Sequence, residues 1–72
     1  MIKYNGKTRA KVIREVILPA IFYEYTEGIW TREEALVLLN KWYNVAKSLG
    51  RDLAELEETY QYYKEMIEET VL

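Results

Sequence analysis

The chain has 72 residues, enough for one domain; half are hydrophobic, 31% are charged, and the formal net charge is −2. It has neither Cys nor His, which excludes disulfides and any metal site built on thiolate or imidazole. A monomer of this size buries only about 60% of the surface its unfolded chain exposes. With no covalent or metallic staple available, association with a second chain becomes the expected source of additional stability.

Glu outnumbers Asp eleven to one, and Ser and Gly are scarce. Such a composition suits a thermophile and equally any helix-rich protein, because Glu and Lys are good helix formers. The basic residues Lys3, Lys7 and Arg9 are not followed by an apolar segment of signal-peptide length. The strongest apolar run, Val16 to Tyr23, is interrupted by Pro19 and falls far short of the ~20 residues that span a bilayer. The expectation is a cytoplasmic protein with no membrane partner. Charge is unevenly spread. Lys3, Lys7, Arg9, Lys11 and Arg14 against Glu15 leave residues 1–18 at +4, whereas residues 51–72 stand at −5. A basic head and an acidic tail can attract each other between subunits, or the head can meet nucleic acid.

In chain order, Met1–Lys7 reads as a short arm or strand, with Ile2 and Tyr4 alternating with Lys3 and Asn5 ahead of an Asn5-Gly6 turn signal. A first helix is expected over 8–27 with Thr8 as its cap. Ile13, Val16, Ile17, Ala20 and Ile21 form one apolar face at helical spacing. The opposite face begins with Lys11, Arg14 and Glu15 and then presents Leu18, Phe22 and Tyr25. A helix that becomes apolar all round is covered on more than one side. Pro19 removes a donor and crowds the Glu15 carbonyl, so a kink is expected there, with Leu18 pushed from helical angles. Glu27-Gly28 closes the segment.

The second helix is expected over 31–49. Thr31 and Glu34 have capping-box spacing, Trp30 can staple to Ala35, and Gly50 is a left-handed stop. Its apolar face is Ala35, Leu38, Leu39, Trp42, Val45, Ala46 and Leu49. The third helix is expected over 52–70, with Asp52 as cap and Glu55 at N3. Leu53, Leu56, Tyr60, Tyr63 and Ile67 form a heptad-like seam, and Thr59, Tyr62 and Met66 a second stripe beside it. Glu68 and Glu69 oppose the helix dipole and call for a basic neighbour.

The residues of catalysis are thin on the ground. General acid–base work usually recruits His, a nucleophilic Cys is missing, and Ser48 has no base to activate it. Adjacent carboxylates such as Glu57 and Glu58 diverge by about 100° on a helix and do not converge as a dyad. Asn5-Gly6-Lys7-Thr8 echoes the end of a phosphate loop, but the earlier glycine that motif needs is here Met1. Val45-Ala46, Leu49-Gly50 and Leu56 resemble a helix-turn-helix. Arg51 replaces the usual apolar residue, however, and Asp52, Glu55, Glu57 and Glu58 would repel a polyanion from the recognition helix.

The expectation is therefore an all-α, three-helix bundle-like domain: a helical hairpin over 31–71 and a Pro-kinked first helix behind a short arm. Its expected function is non-enzymatic, a protein-protein interaction or assembly module with no cofactor and no metal. It is expected to homodimerise, or to bind another protein, through Leu18, Phe22, Tyr25, Tyr62 and Met66, since aromatic residues are enriched at interfaces. The alternative is nucleic-acid binding through Lys3, Lys7, Arg9, Lys11 and Arg14, with Tyr4 available for stacking.

Overall fold

The first helix is formed by Gly6, so Thr8 lies inside its first turns instead of capping it. The computed structural model describes the backbone from Gly6 and the side chains from Thr8, both through Leu72; of the arm expected over 1–7, Gly6 and Lys7 are already helical, and the rest falls outside the described residues. The helix is α over Gly6–Val12, widens to π over Ile13–Ile17, and returns to α over Leu18–Thr26.

The widened turn is how the chain accommodates Pro19. In a regular α-helix the proline ring would strike the carbonyl four residues back, that of Glu15. Here the Leu18 amide donates to the Ile13 carbonyl, five residues back, and Pro19 falls in the first turn of the following α segment, where no intrahelical donor is required. Leu18 keeps helical angles, φ −61° and ψ −45°. The expected displacement of Leu18 is thus corrected: one extra residue in the preceding turn relieves the crowding without breaking the helix.

That extra residue changes which side chains are buried. The line that enters the core is Ala10, Ile13, Leu18, Ile21 and Tyr25, with steps of three, five, three and four. The five-residue step crosses the π turn. Val16, expected in the core, is 58% exposed, whereas Leu18 is fully buried. Beyond Tyr25 the helix ends in a Schellman motif: the Ile29 amide donates to the Glu24 carbonyl at 2.9 Å and the Gly28 amide to the Tyr25 carbonyl at 3.0 Å. Gly28 takes the positive φ of 80° that this closure requires.

The second helix, Arg32–Ser48, opens on the expected capping box. The Glu34 amide donates to Thr31 Oγ1 at 3.1 Å, and the Thr31 amide donates to Glu34 Oε1 at 3.0 Å. The third helix, Leu53–Glu69, starts differently from expectation. Asp52 is left-handed, φ 48° and ψ 45°, and its side chain makes no capping hydrogen bond. A side-chain cap requires extended backbone at that residue; the tight Gly50–Asp52 turn denies it, and the Asp52 carboxylate lies 3.5 Å from Arg14 Nη1 instead.

The helices alternate in direction. The end of the first (Tyr25), the start of the second (Arg32) and the end of the third meet at the Thr70 carbonyl, while Arg14 and Asp52 meet toward the other end. The core between them is Ile13, Leu18, Ile21 and Tyr25 from the first helix, Ala35, Leu39 and Ala46 from the second, and Leu56 and Ile67 from the third. No strand occurs among the described residues, and the fold is an all-α three-helix bundle. Ala35 and Ala46 let the helices approach closely, and fully burying one Leu or Ile contributes roughly 1.5–3 kcal/mol. Among the described residues no polar side chain is buried as a whole, so packing specifies this core with little help from polar networks.

Candidate interaction surfaces

The five residues expected at an interface separate. Leu18 and Tyr25 are core residues, 0% and 4% exposed, and cannot meet a partner; the π turn swings them inward. Phe22 is half-buried with its ring 6.0 Å from that of Tyr63, and Met66 is half-buried as well. Tyr62 is 56% exposed and stands edge-on to Tyr63 at 4.9 Å. Desolvation raises the Tyr63 phenol above its ordinary value, with the neighbouring Tyr23 and Tyr62 adding to it.

Tyr62 and Tyr63 flank an open groove of about 750 Å³ between the first and third helices, shared with Glu15, Glu55 and Glu58. Three carboxylates and the Arg14 guanidinium make this a polar groove and not the apolar surface expected on that side. Tyr60 packs against the core as the seam expects, and its ring also stacks on Tyr43 at 4.1 Å. Tyr43 donates to the Glu57 carboxylate, to which Gln61 also donates at 3.2 Å. Leu53, expected at the head of the seam, is 47% exposed, because the left-handed Asp52 turn sets the helix start outside the core.

The basic head divides too. Arg9 and Lys11 are exposed. Arg14 is engaged within the fold, 14% exposed at its side chain and paired with Asp52 at 3.5 Å and Glu15 at 3.7 Å. Lys3, and the side chain of Lys7, lie outside the described residues. A polyanion would therefore meet fewer free cations on this helix than the sequence alone suggests.

Apolar openings also lie along the second helix. Its expected apolar face is only partly covered. Ala35, Leu39 and Ala46 are buried, Leu38, Trp42 and Leu49 are half-buried, and Val45 and Val37 are 39% and 68% exposed. Two shallow apolar hollows lie along this flank. One, of about 320 Å³, is lined by Trp30, Glu33, Glu34, Val37 and Leu38. The other, of about 240 Å³, lies where the first helix meets the second, lined among others by Val12, Ile17, Trp42, Val45 and Leu49, with Arg9 at its edge. Glu34, Leu38, Lys41, Val45 and Leu49 follow one another at spacings of four, three, four and four, so they share one flank of the helix.

Both tryptophans border this flank. The Trp30 indole N–H donates to Glu24 Oε1 at 3.2 Å, so its only polar group is already satisfied. The Lys41 ammonium lies 5.9 Å from the Trp42 ring centroid. This flank could have been suspected from the sequence, because seven apolar positions on the second helix are more than one core stripe needs. Among the described residues no cluster of three or more acidic side chains could hold a metal ion, and no helix is long and apolar enough to cross a membrane. No protein-family model, curated protein or solved structure matches this chain.

Proposed function

We propose that this chain is a non-enzymatic helical assembly module that associates with another polypeptide, in the first place a second copy of itself, through the outer flank of the second helix. The observation that carries this reading is the half-covered flank from Trp30 to Leu49, on which two tryptophans frame Val37, Leu38 and Val45. Tryptophan is enriched at the energetic centres of interfaces, and exposed apolar side chains bordered by charged ones are what an association surface offers. A 72-residue domain without disulfide or metal has a further reason to cover it.

Sedimentation velocity at micromolar concentration tests the reading. The wild-type chain is expected to sediment as a dimer. Val45→Glu is expected to shift it to monomer while leaving the helical circular dichroism intact, because Val45 is already partly in solvent. A wild-type chain that remains monomeric up to high micromolar concentration would refute self-association.

A further inference from the structure

The two hollows on this flank carry opposite charge, acidic beside Trp30 and basic beside Val45. Trp30 stands at one end, with Glu33 and Glu34 beside it. Val45 stands at the other, in the hollow edged by Arg9, with Lys41 between the two. Counted along the chain, Trp30, just before the Thr31 cap, and Val45 are equally far from the midpoint between Val37 and Leu38, and so are Glu34 and Lys41 within the helix.

Resting on the self-association proposed above, we infer that two copies pair antiparallel along this flank, about a two-fold axis passing between Val37 and Leu38. In that register the Trp30 ring of one copy enters the apolar hollow around Val45 of the other. Glu34 of each copy faces Lys41 of its partner. A two-fold interface uses the same patch on both subunits, and this flank supplies both halves of each contact. A parallel arrangement would set Lys41 against Lys41 and Glu34 against Glu34, an apposition that like charges disfavour. The satisfied indole N–H of Trp30 lets its ring enter an apolar hollow without leaving a buried donor unpaired. Lys41 can leave its position over Trp42 for a carboxylate at little cost, because an exposed cation–π contact contributes only about 0.5–1 kcal/mol.

Cross-linking tests the register, and the absence of native Cys makes each introduced thiol the only one. Val37→Cys lies beside the axis and is expected to give a covalent dimer with a short bis-maleimide. Val45→Cys is expected to give none with itself, since in this register the two positions are separated by about 22 Å along the helix axis. A second arm uses charge. Lys41→Glu is expected to weaken the dimer about tenfold by facing Glu34 of the partner. Glu34→Gln in the same chain, which keeps a capping-box side chain, is expected to recover most of that loss. A sedimenting dimer in which Val45→Cys links to itself, in which Val37→Cys does not link, or in which Glu34→Gln gives no recovery, overturns the antiparallel register while leaving self-association standing. A chain that sediments as monomer overturns self-association itself.

Discussion

Tyr25 Oη donates to the carbonyl oxygen of Thr70 at 2.7 Å, joining the end of the first helix to the end of the third across 45 residues of sequence. Arg32 Nη2 reaches the same carbonyl at 3.1 Å. A guanidinium at a helix C-terminus complements the helix dipole. Tyr25→Phe is expected to cost about 0.5–1.5 kcal/mol of unfolding free energy by urea denaturation, and to speed amide exchange in the last turn of the third helix. Unchanged exchange at Thr70 would show that this bond does not hold the helix end.

The π turn makes a sharp prediction about two neighbouring side chains. With Leu18 fully buried and Val16 58% exposed, Leu18→Ala is expected to cost about 2–5 kcal/mol. Val16→Ala should stay within about 0.5 kcal/mol of wild type. A regular α-helix continuing from Ile13 would reverse that order. Denaturation midpoints of the two variants therefore measure the register directly.

Asp52 serves the fold through its backbone conformation and its charge, and two substitutions separate these. Asp52→Ala keeps a Cβ at φ 48° but loses the short polar side chain that makes Asp more tolerant of this left-handed conformation than Ala. It also leaves Arg14 Nη1, which is buried without a hydrogen-bond partner, without its nearest interhelical carboxylate. Asp52→Asn tolerates the left-handed backbone and removes only the charge, so it is expected to fall between wild type and Asp52→Ala in thermal midpoint. Equal losses in both variants would assign the whole effect to the ion pair.

The Tyr43–Glu57 hydrogen bond predicts opposite behaviour at the two ends of the pH scale. It holds the Glu57 carboxyl below its ordinary value of 4.5, with help from Gln61. The stabilisation from Glu57 is thus complete above that value and is lost as pH falls through the lower, folded-state value. The same bond raises the Tyr43 phenol above its ordinary value of 10.0, so that contribution is complete below 10.0 and is lost as pH rises through the folded-state value. Carboxyl-carbon NMR of Tyr43→Phe should show the Glu57 titration moving upward. An unmoved titration would exclude the phenol as its cause.

The capping box at Thr31 and Glu34, the Gly28 and Gly50 stops and the three-helix count were legible in the sequence, because each depends on residues within a few positions of one another. The expected core was legible in part. Ile13, Ile21, Ala35, Leu39, Ala46, Leu56 and Ile67 lie inside as their spacing indicates. Two of the five residues expected at an interface, Leu18 and Tyr25, lie in the core instead, and the half-open flank is on the second helix.

Local grammar determined where the second helix begins and ends, since its capping box and its left-handed glycine stop join neighbours in sequence. Tertiary structure alone decided which faces are covered. Pro19 needed relief, and whether the first helix would kink or widen depended on what the neighbouring helices could pack against; the π turn placed Leu18 between them and turned Val16 to solvent. Asp52 had the sequence of a cap and became the partner of Arg14, because the turn holding it had to aim the third helix back along the first. Helical spacing defines stripes, but the number of neighbours determines how many of them are buried. With only three helices, the outer flank of the second was left open.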